Sequence, residues 1–310
     1  MKSVADLVPQ IAIFTDDPGW HGRELVNALA QHGLGANYLS LTECEFRFDD
    51  TGLPVHLPGF EECYPIGVFV RGVPGGTLEQ VIHRLDILHA LAQSGVTVYN
   101  EPRAIERTVD KAMTTFLLKL AGLPTPATWV FESVETAVHI YEKETAAGRS
   151  LLMKPLFGSQ GLGIQRLSKE TPMLIDETFA GVYYLQSFVE RKQTGWSDIR
   201  VFVIAGKAIA AMRRSGQHWI TNRAQGASCE CLPLDRPLCD LAEAAVDAVA
   251  IDYAGVDLLI DTQGQLQIIE VNSIPAWWGL QSVTDFNIAA QLIDHFVSKI
   301  ARRQPLISQS

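Results

Sequence analysis

No apolar run in the 310 residues reaches membrane-spanning length, and the opening MKSVADLVPQ lacks the apolar core of a signal peptide. Basic charge is also scarce. The net charge is -10, which argues against general nucleic-acid binding. The five cysteines (Cys44, Cys63, Cys229, Cys231, Cys239) show no paired metal-ligand spacing, and the odd count fits reduced thiols. Cys229-x-Cys231 has no second cluster to complete a zinc site. The eight histidines include no HExxH and no close pair. The first strand-to-helix loop is not GxGxxG, and no G-x-x-x-x-G-K-[ST] is present. With 47% hydrophobic and 19% charged residues, what remains is ordinary globular material. The expectation is a soluble cytoplasmic protein with neither nucleic acid nor membrane as partner.

The stretch that carries most chemistry is Gly255 to Ser273, GVDLLIDTQGQLQIIEVNS. It reads as two strands, Val256 to Asp261 and Leu266 to Val271, joined by a two-residue turn at Gln263-Gly264. That turn places Asp257 directly opposite Glu270, with Asn272 on the same face. Opposed like charges destabilise a sheet, so two carboxylates and an amide converging there call for a cation. Hard oxygen ligands suit Mg²⁺ bridged to nucleotide phosphates. The alternative is a hairpin whose acids reach solvent at its open end.

Before this hairpin, residues 1 to about 100 alternate strand and helix: Ile11–Thr15, Gly22–His32, Ala36–Leu41, Ile66–Val70, Leu78–Gln93 and Val96–Tyr99. That order describes a small parallel α/β unit. Ligands bind outside the carboxyl ends of such strands, which nominates Arg71 as a substrate-facing cation; a solvated loop arginine is the alternative. After NEPR (Asn100–Arg103), one helix is expected over Ala104–Ala121, containing Asp110-Lys111. Leu151–Lys154 is a short strand followed by GSQGLG (Gly158–Gly163), which resembles a flexible hairpin over phosphates, or simply a glycine-rich turn. Strands Tyr183–Val189, Asp198–Ile204 and Lys207–Arg213 follow, then a loop to Gly226 and helices Cys239–Ile251 and Ile288–Arg302.

Taken in order, these parts resemble an ATP-grasp ligase, and within that superfamily the RimK-type branch. The resemblance rests on Asp110-Lys111, Met153-Lys154-Pro155 before GSQGLG, Gln186-Ser187-Phe188-Val189, Asp198-Ile199-Arg200, Ala211-Met212-Arg213-Arg214, Thr221-Asn222, Gly255-Val256-Asp257 and Glu270-Val271-Asn272-Ser273. It covers residues from about 99 to the end. It implies an α/β (α+β ATP-grasp) fold: an amino-terminal parallel α/β domain (1–102), then two α+β subdomains that clasp ATP (103–187 and 188–310).

The resemblance also implies roles. Lys111 and Lys154 would contact ATP phosphates under the Ser159-Gln160-Gly161 backbone. Gln186, Ser187, Phe188 and Val189 would form the hinge strand beside adenine, with Asp198 as a ribose or nucleotide contact. Asp257, Glu270 and Asn272 would hold Mg²⁺, with Mn²⁺ as a substitute. Arg200, Arg214 and Asn222 would face the acyl phosphate and the incoming amine. Two departures stand out: Ser187 replaces a usual acid, and Ile220-Thr221-Asn222 replaces the Arg-Ser-Asn of ribosomal-protein ligases.

The implied reaction is amide formation from a carboxylate and an amine through an acyl phosphate, releasing ADP and phosphate. Ile274-Pro275-Ala276-Trp277-Trp278-Gly279-Leu280-Gln281 resembles LysX-type and tetrahydromethanopterin-type glutamate ligases. The expected substrates are therefore glutamate and a small cofactor-like carboxylate such as a pterin, with homo-oligomers common in this branch. Trp277 could stack on a flat ring or pack against the closing helix. Arg71, Arg213 and Arg223 could meet substrate carboxylates. The alternatives are a ligase that extends an acidic peptide tail, and an ATP-binding regulatory module without ligation.

Overall fold

The structure, a computed structural model, describes residues 9–49, 52–158, 161–191, 195–221 and 226–307. It divides into two compact units. The first holds the described residues up to Glu106, Ile251–Tyr253 and the chain from Ser273 onward; the second holds Arg107–Ala250 and Ala254–Asn272. Among the described residues, no helix is long and apolar enough to cross a membrane.

In the first unit, β1 (Pro9–Phe14), α1 (Gly19–Gln31), β2 (Gly35–Leu39), the short pair β3 (Glu45–Phe46) and β4 (Val55–His56), β5 (Gly67–Val70), α2 (Leu78–Gln93) and β6 (Thr97–Tyr99) follow in order. The sheet runs β2-β1-β5-β6 and is parallel throughout. Parallel strands are covered on both faces and therefore read as continuous apolar runs. Ile11, Ala12, Ile13 and Phe14 are all fully buried, as that rule requires. Gly67 lets the sheet approach another element closely: a Cβ there would meet Phe296 at 2.6 Å and Ile300 at 2.7 Å. The buried amide of Asn100 donates to the carbonyls of Tyr253 and Ser273 and accepts from the N–H groups of Asp252 and Tyr253. Those four bonds stitch the returning segments to the end of β6.

The single helix expected over 104–121 is two, α3 (Pro102–Val109) and α4 (Lys111–Leu120). Asp110 separates them with extended backbone, and its carboxylate accepts from the N–H groups of Ala112 and Met113. It is an N-cap, worth about 1 kcal/mol. The cap also sets Lys111 at the first position of α4. In the second unit, β7 (Thr128–Phe131), α5 (Val134–Ala146), β8 (Leu151–Lys154), β9 (Gln165–Leu167) and β10 (Tyr183–Ser187) form an antiparallel sheet ordered β7-β10-β8-β9. Then come β11 (Trp196–Ile204), β12 (Lys207–Gly216), β13 (Ser228–Leu232), α6 (Arg236–Val249), β14 (Tyr253–Ile260) and β15 (Leu266–Asn272), giving a five-stranded sheet ordered β13-β12-β11-β14-β15. Strand β13 was not expected. It carries Cys229 and Cys231, neither of them in a disulfide among the described residues. The chain closes with α7 (Trp278–Gln281) and α8 (Ile288–Ile307); both belong to the first unit rather than to a 188–310 subdomain, and α8 packs with α1 and β6.

The β14–β15 hairpin reaches its expected pairing by an unexpected route. Its loop is not the two-residue Gln263-Gly264 turn. Asp261 and Gln265 close it, leaving three residues between, with Gly264 at φ +82°. Three-residue loops with glycine in the left-handed region are a recognised hairpin closure. That shifts the register, so Leu258 pairs with Ile268. An irregularity between Asp257 and Leu258 leaves Ile269 unpaired and restores Asp257 opposite Glu270. An added Cβ at Gly264 would meet nothing within 4 Å, so Gly264→Ala tests backbone strain alone. The expected loss is about 1–2 kcal/mol in urea melts with an unchanged m value; an unshifted midpoint contradicts this loop.

Candidate active site

A cavity within the second unit gathers most of the nominated residues. Its lining includes Lys111, Lys154, Gly161, Gln186, Ser187, Phe188, Val189, Asp198, Arg214, Asp257 and Glu270. One wall is the four-stranded sheet. Lys154, at the end of β8, is 6% exposed and donates to Gln186 Oε1 at 2.7 Å. The Gln186 amide in turn donates to Tyr184 and Thr128. Lys111 Nζ donates to the carbonyls of Leu156 and Gly158, tying α4 to the entry of the glycine-rich segment. Phe188 lies under the Arg166 guanidinium at 4.0 Å and meets Trp196 and Trp219 edge-on. The Ser187 N–H already donates to the Ala127 carbonyl, so the hinge N–H groups are not all available to a ligand.

The other wall is a closed ion network on the five-stranded sheet. Arg200 grips Asp257 with two bonds of 2.7 Å. Arg214 grips Asp198 with bonds of 2.6 and 2.8 Å and reaches Asp257 Oδ2 at 2.9 Å. Thr221 Oγ1 donates to Asp198 at 2.6 Å. Burial alone would push the Asp257 carboxyl up, but Arg200 and Arg214 outweigh it and hold it down at about 2. Asp198 ends above its ordinary value, because burial and the charge of Asp257 outweigh its share of Arg214. Burial would lower Arg214; the two carboxylates outweigh that and raise it.

Glu270 behaves differently. It is half-buried opposite Asp257, and among the described residues it forms no ion pair. Its charge raises both lysines, although burial wins in each case: Lys111 is lowered, and Lys154 is lowered to about 8. An unpaired half-buried carboxylate beside two lysines fits a cation held with phosphates. Asp257 is the less available ligand, since both its oxygens already accept from arginines. Among the described residues no group of three His, Cys, Asp or Glu forms a metal cluster by itself.

Several nominated residues lie elsewhere. Arg200 is 9% exposed behind Asp257 and does not line the cavity. Arg213, one position from Arg214, faces away by strand alternation and pairs across to Glu230. Trp277 is fully buried in the first unit among Trp20, His21 and Arg71, so it has no free face for a pterin ring; it packs, but its ring neighbours come from α1 and Arg71 and not from the closing helix. Its neighbour Trp278 is 48% exposed. Arg71, also in the first unit, donates to the Pro275 carbonyl and has no acid partner among the described residues. Ser159, Gln160, Asn222 and Arg223 lie outside the described residues. Sequence reasoning missed Thr115, Tyr184, Arg191 and Trp219 in the lining. None sits in a spacing that signals it.

Residues 108–296 match the RimK-like ATP-grasp domain. The chain belongs to the RimK-like ATP-grasp family. It is similar to the tetrahydromethanopterin:alpha-L-glutamate ligase of Methanococcus maripaludis, 37% identical over 232 residues that cover 73% of this chain and 77% of that protein. The enzyme of the same description from Methanosarcina acetivorans is 30% identical over 318 residues, covering 91% and 96%. The fold matches the ATP-grasp ligase PsnB complexed with its minimal precursor, at a TM-score of 0.72, 21% identity, and 94% and 99% coverage. This RimK-like ATP-grasp protein is therefore an ATP-dependent ligase.

The buried lysine of this RimK-like ATP-grasp protein makes a ligand-free prediction. In a ¹³C titration of the lysine Cε resonances, one should titrate near 8 and vanish in Lys154→Met, while exposed lysines titrate near about 10.4. A full set of lysines titrating together contradicts the burial of Lys154.

Proposed function

We propose that the chain joins L-glutamate to a small cofactor-like carboxylate, a tetrahydromethanopterin-type pterin acceptor, with ATP converted to ADP and phosphate. The observation that carries the chemistry is the convergence of Lys111, Lys154, Glu270 and Arg214 on one cavity. The likeness to the methanogen ligases supports the substrate pair.

The physical logic follows from charge. A carboxylate is a poor electrophile, so its oxygen must first take the terminal phosphoryl group of ATP. Lys111 and Lys154 line the cavity and would neutralise charge on that group, which is the main demand of phosphoryl transfer. Asp257, Glu270 and Asn272 would hold Mg²⁺, which supplies further charge neutralisation on the phosphates. The amine of glutamate then attacks the acyl carbon. The tetrahedral oxyanion that forms needs a fixed donor, and Arg214, which lines the cavity with Arg191 and is held by two carboxylates, would give it. Phosphate leaves and the amide remains. The glycine-rich segment from Gly158 to Gly163 would exclude water from the acyl phosphate. Arg71, a cation without an acid partner among the described residues, would suit a substrate carboxylate.

Purified protein with Mg-ATP, labelled glutamate and an extract of the source cells tests this reading by mass spectrometry. A labelled glutamyl adduct on a small molecule is expected, with ADP and phosphate formed in step. Label confined to protein favours the peptide-tail ligase instead, and stoichiometric AMP overturns the acyl phosphate. Glu270→Ala should lower turnover by more than about 100-fold if it holds the metal; unchanged turnover removes Glu270 from the site.

A further inference from the structure

The resemblance makes Asp198 a nucleotide contact, but its hydrogen bonds describe another task. Asp198 on β11 and Arg214 on β12 are cross-strand partners. Asp198 Oδ1 accepts from Arg214 Nε, and Oδ2 accepts from both Arg214 Nη2 and Thr221 Oγ1. Asp257 takes a further bond from Arg214 Nη2. A guanidinium carries five N–H donors in one plane. The two acids engage the Nε and both Nη2 donors. The Nη1 amino group, with two N–H donors, has no partner among the described residues, and Arg214 lines the cavity.

We propose that Asp198 is a positioning residue: it clamps the Nε/Nη2 edge of Arg214 so that the Nη1 edge presents two fixed donors to the anionic oxygen of the reacting acyl group. Thr221 is the second part of the clamp, since its hydroxyl donates to the same Asp198 oxygen that accepts from Arg214 Nη2. A fork held along one edge cannot rotate, so its remaining donors are aimed before substrate arrives. Preorganised donors stabilise a developing oxyanion without reorganising at the moment of reaction. The inference rests on the ligase reading for the substrate oxygen, but not for the geometry of the clamp.

A thermodynamic cycle separates the two tasks. Binding of ATP, 2′-deoxy-ATP and 3′-deoxy-ATP is measured by calorimetry for the parent and for Asp198→Asn. An Asp198 that positions Arg214 leaves the deoxy penalties unchanged and ATP affinity within about 2-fold, the additivity expected of uncoupled groups. In steady state the same variant should lose about 10–100-fold in kcat, with the KM for ATP little altered. Disappearance of either deoxy penalty in Asp198→Asn makes the residue a ribose contact and overturns the proposal. Thr221→Val is the milder variant, removing one bond to Asp198. It should lower kcat by about 5-fold with parental nucleotide binding, and parental kcat also overturns the proposal. The binding arm needs no acceptor, so it decides the role of Asp198 even if glutamate or the pterin proves to be the wrong substrate.

Discussion

The site depends on one buried arrangement of charge, the chain Arg200–Asp257–Arg214–Asp198. Two cations and two anions balance within a single face of the five-stranded sheet. Removing one member of such a buried set leaves an unpaired charge and costs about 3–5 kcal/mol. The same bonds tie β11, β12 and β14 together through side chains as well as backbone. They fix Arg214 and the hairpin residue Asp257 at the cavity, and among the described residues they leave Glu270 outside the network, as the carboxylate open to a cation.

Across the cavity the balance runs the other way. Lys154 is buried with an amide partner instead of an acid, and burial lowers it to about 8. Lys111 bonds to backbone carbonyls beside the glycine-rich segment. A wall of under-neutralised cations facing the Glu270 carboxylate is arranged for a polyanion with its counter-ion. The neutral network opposite supplies geometry, and the lysine wall supplies net charge.

Much of this was legible from local pattern. The parallel strands of the first unit appear as apolar runs, and α2 falls on its expected bounds, Leu78–Gln93. Asp257 opposite Glu270 was legible for a partly wrong reason: a longer loop and an unpaired Ile269 shift the register in opposite senses and cancel. The helix break at Asp110 was hidden because an aspartate inside an apolar periodicity reads as surface unless its capping bonds are seen. Strand β13 was hidden because a half-exposed edge strand such as Ser228–Leu232 lacks a strong alternating signal. Tertiary partners were illegible throughout. Nothing local says that Arg200 holds Asp257, that Trp277 is covered by α1, or that the chain after Ser273 returns to the first unit, where Ile274 packs against its core.

The central claim is that this cavity activates a carboxylate by phosphorylating it. The direct measurement uses an acceptor whose carboxylate carries ¹⁸O at both oxygens, with Mg-ATP and glutamate, and follows the label by mass spectrometry. The account predicts one ¹⁸O atom in the inorganic phosphate for each amide formed. Label in AMP, or amide formation with unlabelled phosphate, would contradict it.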